Sequence, residues 1–178
     1  MIQRRRLVLA ILAGQVLLMV GLIAQQEYRL ATWDTIRLPV IPVDPVALFR
    51  GRYVRLGYDF FRIETTETDW KRGDVIYLRL APDAEGLWRL VGFGHTPDKP
   101  TGQVLVRGRI RLTSSPHLYV ETGIESYFLS ERKAPQIERL MGRGSPYRIT
   151  VDVAVSADGA TALKQLYVEG IPAERFEP

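Results

Sequence analysis

The chain has 178 residues, no cysteine and a formal net charge of +4. The absence of cysteine excludes disulfides, cysteine-ligated zinc and thiol catalysis, so any folded part must be stabilised by its hydrophobic core. Arg4, Arg5 and Arg6 account for most of the net charge, which leaves the rest of the chain close to neutral and gives no electrostatic basis for nucleic-acid binding.

An uncharged apolar run, Leu7 to Ala24, follows these arginines. At about 1.5 Å per residue it is just long enough to cross the hydrocarbon core of a bilayer, so it predicts a transmembrane anchor. By the positive-inside rule, residues 1–6 form a cytoplasmic tail of a single-pass inner (cytoplasmic) membrane protein, and the remainder is periplasmic or extracellular. A signal peptide cleaved after Ala24 is the alternative, although the run exceeds the usual signal core.

Residues 25–35 are predicted to be a juxtamembrane connector. Its Tyr28 and Trp33 are typical of a membrane interface, and packing on the folded domain would explain them equally well. Residues 36–178 are predicted to form one extracytoplasmic β domain. Its first strand, over 36–41, is limited by two prolines to an edge position or a short length.

The most distinctive segment runs from Asp44 to Phe60. An Asp-Pro turn and Gly51 lead into a strand predicted over 52–62. Side chains alternate along a strand, so one face of this segment is apolar and is predicted to be buried. That face consists of Val54, Leu56, Tyr58 and Phe60. The hydroxyl of Tyr58 then needs a partner inside, whereas Tyr53 lies on the polar face and is free for contact.

Alternation and turn residues predict further strands over 75–80, 87–93, 103–113, 118–121, 124–129, 148–155 and 162–168. Asp158-Gly159 predicts a tight hairpin turn between the last two. One short helix is predicted, with Ser130 as its cap and Ala134 and Ile137 on its apolar face. Many short strands with one helix predict a compact antiparallel β-barrel or sandwich.

Gly51, Tyr53, Leu56 and Tyr58 have the spacing G-x-Y-x-x-L-x-Y. With Asp44-Pro45 and Arg50 before it, and with similar stretches at 73–77, 123–128 and 158–159, the chain resembles the GDYXXLXY family of membrane-anchored proteins of unknown function. The resemblance implies an envelope-facing domain of a kind often encoded with, or fused to, multi-pass membrane proteins. Arg52 stands where the family's name has aspartate, so no role for a carboxylate is expected there.

The sequence favours a binding or interaction module for a membrane-protein partner or an envelope ligand, without a cofactor. The motif and its surroundings contain aromatic and charged groups of the kind that form recognition patches. Closing the end of a barrel would explain the same groups equally well. The predicted patch consists of Arg50, Gly51, Arg52, Tyr53, Arg55, Tyr58, Glu125 and Tyr127. His95 and His117 are too few to predict a metal site without carboxylates that the sequence cannot place.

The alternative is a cell-envelope hydrolase. Ser130 and Lys133 have the S-x-x-K spacing in which a lysine activates a serine, but no S-D-N or K-T-G element follows. Glu121 with Glu125, or Glu64 with Glu67, could supply the carboxylate pair of a glycosidase. Solvated surface charge explains these acidic pairs without chemistry.

Overall fold

The computed structural model describes residues 2–41, 53–142 and 145–177. The chain divides into two compact units, Met1–Trp33 and Asp34–Pro178. The first unit is a single helix, α1, Ile2–Thr32. Within the described ranges it is the one helix long and apolar enough to cross a membrane. It continues beyond Ala24 through most of the predicted connector.

The second unit is mainly β, as predicted. Its described strands are β1 (Asp34–Pro39), β2 (Tyr53–Arg55), β3 (Arg62–Glu64), β4 (Val75–Pro82), β5 (Trp88–Gly94), β6 (Val104–Ser114), β7 (His117–Glu121), β8 (Ser126–Phe128), β9 (Ile149–Val155), β10 (Thr161–Val168) and β11 (Ile171–Pro172). A turn of 3-10 helix, Asp59–Phe61, precedes β3, and a short helix, α2, spans Ala134–Leu140.

The strands form three antiparallel groups that include a curled half-barrel. One sheet has the order β1-β9-β10-β11, a second the order β3-β7-β6-β4-β5, and β2 pairs with β8 alone. β1 lies at a sheet edge, as its prolines predicted. The predicted hairpin joins β9 to β10, and Gly159 in its turn has a φ of +83°, a conformation that glycine adopts without steric cost.

The apolar face predicted for the motif segment is confirmed. Val54, Leu56, Tyr58 and Phe60 are all essentially inaccessible and belong to the main core cluster. The rings of Tyr58 and Phe60 stack with centroids 5.1 Å apart. This face therefore fixes the motif segment, which we define as residues 53–60, to the interior of the β domain.

The prediction of one continuous strand over 52–62 was wrong. β2 ends at Arg55, and β3, which begins at Arg62, belongs to a different sheet. Between them, the backbone N–H of Leu56 bonds the carbonyl of Glu125 at 2.9 Å, and Gly57 bridges to Ile41. The chain passes from one sheet to another here, so the segment cannot pair with a single neighbouring strand along its whole length. Leu56, Tyr58 and Phe60 nevertheless remain on the buried face.

The prediction that Ser130 caps the helix through its side chain was also wrong. α2 begins four residues later, and Lys133 in the N-cap position makes no side-chain cap bond. The backbone carbonyl of Ser130 instead accepts the N–H groups of Lys133 and Ala134 at 3.0 Å. Pro135 explains the later start, because proline is favoured in the first turn of a helix, where its missing N–H costs nothing.

Candidate functional site

An open groove of about 680 Å³ runs beside the motif segment. It lies where the two-stranded β2–β8 pair meets the β3, β7 and β6 strands of the larger sheet. We call it the motif groove, and it is lined by Ile41, Arg55, Tyr58, Asp59, Phe61, Arg62, Arg111, Leu112, Tyr119, Val120, Glu121, Glu125 and Ser126.

The β2–β8 pair supplies one wall. Val54 stands opposite Tyr127 in the ladder, and both are buried. Arg55 stands opposite Ser126 on the other face, which is accessible. Because successive side chains of a strand point to opposite faces, the core packing of Val54 turns Arg55 towards the groove.

A β-bulge supplies the opposite wall. The register between β6 and β7 shifts between Ile110 and Leu112, which leaves Arg111 as the extra residue. A bulge re-aims the side chains that follow it. Leu112 would be buried in an unbroken alternation after Ile110, yet it is 52% exposed beside Arg111. Both side chains therefore face the groove.

Three arginines line the motif groove. Among the residues that the structure describes, the guanidinium groups of Arg55, Arg62 and Arg111 have neither a hydrogen-bond nor an ion-pair partner. By contrast, Arg37 bonds both carboxylate oxygens of Asp152, at 2.6 and 2.8 Å. Free guanidinium groups can bind a carboxylate through two parallel hydrogen bonds, so this side of the groove suits an anionic group.

Apolar surface accompanies these charges. Half of the exposed large hydrophobic side chains described in the second unit line the motif groove, namely Ile41, Leu112 and Tyr119. Phe61 adds an aromatic ring, which packs edge-on against Tyr58 with centroids 5.9 Å apart. The groove thus combines charged donors with apolar surface that a ligand could cover.

Tyr58 joins the motif to the floor of the groove. Its hydroxyl donates to the backbone carbonyl of Ile124 at 2.9 Å, which is the internal partner that burial requires. Burial raises the pKa of Tyr58 well above its usual range, and the carboxylate of Glu125 nearby raises it further. The hydroxyl therefore remains protonated and acts as a fixed donor.

Glu125 is held by the turn that precedes β8. One carboxylate oxygen accepts the backbone N–H of Thr122 at 2.5 Å, and the other accepts that of Gly123 at 3.0 Å. Gly123 has a φ of +87°, which suits glycine in this turn. These bonds make Glu125 a brace of the turn as well as part of the groove wall.

The predicted patch is brought together only in part. Arg55, Tyr58 and Glu125 line the motif groove. Tyr53 packs against Phe128 at 6.1 Å and is not among the lining residues. The other three residues of the predicted patch lie outside the described part of the chain, namely Arg50, Gly51 and Arg52.

Tyr127 lies on the core face of β8, opposite in direction to Tyr53 and Arg55. Its hydroxyl donates to Glu174 at 2.7 Å, and its pKa is raised by burial and by this bond. The prediction grouped Tyr127 with Arg55 because aromatic and charged side chains of this kind form recognition patches. Sequence alone could not tell that the two strands pair with these residues on opposite faces.

Arg62, Arg111 and Tyr119 line the groove but were not predicted. Arg62 follows the break in the motif strand, and Arg111 owes its position to the bulge. The alternation of apolar and polar residues along the sequence does not show where a strand changes sheet, nor where a bulge without glycine occurs. The exposure of Arg111 and Leu112 can be explained only from the register between β6 and β7.

The residues proposed for hydrolysis have other contacts. Lys133 Nζ donates to the carbonyl of Phe176 at 2.7 Å, and Glu67 accepts the indole N–H of Trp70 at 2.7 Å. Glu121 and Glu125 both line the motif groove.

Outside the groove, Glu67, Asp69 and His95 form the one cluster of three possible metal-ligating side chains found in the described residues.

No curated protein and no solved structure matches the chain. A family model, that of the GDYXXLXY protein, matches residues 15–166. The match covers most of the chain and includes the whole motif segment and every residue lining the groove. The chain therefore belongs to the GDYXXLXY protein family.

Proposed function

We propose that the β domain is a binding module whose motif groove takes a polypeptide segment of another membrane protein. The observation that carries the proposal is that unpaired arginines and exposed apolar side chains line the same groove. Arginine and tyrosine are the residues on which binding energy concentrates in protein interfaces. A segment that carries carboxylates between apolar residues complements this lining.

The setting of the carboxylates supports binding more than chemistry. Glu125 is engaged by backbone N–H groups of its own turn, and Asp59 accepts the backbone N–H of Leu90 at 3.4 Å. A general acid or base must be free to exchange a proton with a substrate. These two groups serve the local fold, whereas the three arginines of the groove have no such partner among the described residues.

We infer that α1 anchors the module in the inner membrane. Its apolar stretch and the arginines before it support a single pass with the amino terminus in the cytoplasm and the β domain in the periplasm or outside the cell. A membrane anchor confines the domain to the bilayer surface and so raises its effective concentration near membrane-embedded partners. This makes a multi-pass membrane protein the proposed partner.

Site-specific photocrosslinking in membranes tests the proposal. A photoreactive amino acid replaces Leu112 in the groove, and Ile171 in β11 serves as the matched control. Both are exposed aliphatic residues of strands, at 52% and 46%, and Ile171 does not line the groove. We expect a discrete membrane-protein adduct from position 112 alone, and its loss when Arg55→Glu and Arg111→Glu are added. Equal adducts from both positions, or none from position 112, would contradict the proposal.

A hydrolase is the second candidate, and one observation favours it. Glu121 and Glu125 line the same groove, as a carboxylate pair acting on a bound substrate would. Purified full-length protein can be incubated with cell-wall polymers and with peptides, and product release measured. Activity that is lost in Glu121→Gln, with the fold intact, would establish hydrolysis; activity that persists in this variant would come from elsewhere.

A further inference from the structure

We propose that Glu67, Asp69 and His95 form a binding site for a divalent metal ion of the zinc type. Their potential ligand atoms all lie within 4.8 Å of one another, and all three side chains are exposed. The site is outside the motif groove and does not depend on the function proposed for it. Imidazole and carboxylate are both zinc ligands, and three protein ligands leave a fourth position for water.

The separation of the ligand atoms fits a common metal. The Nε2 of His95 lies 3.1 Å from the Oδ2 of Asp69. Two ligands at about 2.0–2.1 Å from a tetrahedral zinc ion are separated by about 3.3 Å. His95 and Asp69 are thus already near the spacing that zinc requires, and a carboxylate oxygen of Glu67 lies within 4.8 Å of both ligand atoms.

Trp70 holds two of the three ligands in place. Its indole is buried, and the imidazole of His95 stacks on it with centroids 3.6 Å apart and planes 9° from parallel. The indole N–H also donates to Oε2 of Glu67 at 2.7 Å. A hydrogen bond to a ligating carboxylate orients it, and loss of such a bond commonly lowers metal affinity by about 10–100-fold. The buried side chain of Trp70 therefore positions both His95 and Glu67.

The cluster joins two separate stretches of chain. Glu67 and Asp69 belong to the segment between β3 and β4, and His95 directly follows β5. A metal bound to all three would link these stretches. Because an ion that binds the folded state alone stabilises it by mass action, zinc should raise the unfolding temperature of the protein.

The test uses untagged full-length protein in detergent micelles, stripped of metal by a chelator. Calorimetric titration with Zn²⁺ should show one ion per chain. Co²⁺, which takes similar ligands, should quench the tryptophan fluorescence because Trp70 lies against His95. We expect His95→Ala and Asp69→Asn each to weaken Zn²⁺ binding at least about tenfold.

Glu67→Gln is the most discriminating variant. The glutamine amide oxygen can still accept the indole N–H of Trp70, so the fold is kept while the anionic ligand is lost. His117→Gln, which removes the other histidine, is the control and should bind Zn²⁺ like the wild type. Urea unfolding without zinc verifies that the variants fold.

Three results would overturn the proposal. The first is the absence of Zn²⁺ binding at concentrations up to about 1 mM, which is the range of weak affinities. The second is unchanged Zn²⁺ binding in Glu67→Gln and Asp69→Asn, and the third is an equal loss of binding in His117→Gln. In each case the contact between His95 and Asp69 would be an exposed ion pair and nothing more.

Discussion

Replacing Leu56 with alanine should lower the free energy of unfolding of the β domain by about 2–5 kcal/mol. Leu56 has no exposed surface and lies in the main core cluster. The substitution removes three buried carbon atoms and leaves a cavity, and both effects destabilise the folded state. The same cluster contains the stacked rings of Tyr58 and Phe60. The cost within this range depends on how far such side chains relax into the cavity, and a site that relaxes little falls near its upper end.

Urea unfolding of the full-length protein in detergent micelles, followed by tryptophan fluorescence, measures this loss. With an m-value of about 2 kcal/mol per M, the midpoint should fall by about 1–2.5 M. Leu112→Ala is the matched control, because the same atoms are removed from a side chain that is 52% exposed. It should change stability by less than about 0.5 kcal/mol. Similar midpoints for the two variants would refute the assignment of Leu56 to the inner face.

Three further predictions concern Tyr58, Gly159 and the apolar run of α1. Tyr58→Phe should cost about 1–3 kcal/mol at neutral pH, because it leaves the carbonyl of Ile124 buried without its donor. Because the pKa of Tyr58 is raised in the folded state, its contribution to the free energy of unfolding is complete below pH about 10 and is lost as pH rises through the folded-state pKa. The urea midpoint of Tyr58→Phe should therefore fall less steeply in alkali than that of the wild type. Gly159→Ala should cost more than about 1 kcal/mol in a thermal melt, since φ is +83° and the new Cβ would lie 2.9 Å from the backbone nitrogen of Arg107; an unchanged melt would show that the turn can rearrange. Intact-mass measurement of membrane-extracted protein should find the apolar run retained, and a chain that begins near Gln25 would instead show cleavage.

The parts of the fold that the sequence predicted depend on local rules. Two-residue alternation identified the buried face of the motif, and it holds even where the strand is interrupted. The Asp158-Gly159 turn predicted its hairpin because few residues accept a positive φ. The apolar run predicted α1 from length and composition alone. Each of these features is decided within a few neighbouring residues.

The parts that were missed depend on contacts between distant residues. The bulge at Arg111 exists only relative to β7, and the direction of Tyr127 follows from its register with Val54. His95 meets Asp69 because the segments that precede β4 and follow β5 come together in the folded sheet. The sequence therefore singled out some residues of each candidate site, such as Arg55 and His95, but neither their grouping nor the partners that complete each site.

Leu56 and Tyr58, two of the residues that give the family its name, support the groove from inside the β domain. Leu56 and Tyr58 are buried, and Tyr58 bonds the carbonyl of Ile124, next to the turn that Glu125 braces. The N–H of Leu56 bonds the carbonyl of Glu125 itself, so the motif fixes this turn through both a side chain and the backbone. Arg55 and Arg111, which have no partner among the residues that the structure describes, stand beside the motif letters and outside the motif respectively. We therefore expect substitutions of Leu56 and Tyr58 to act through stability, and substitutions of Arg55 and Arg111 to act on association with little change in stability.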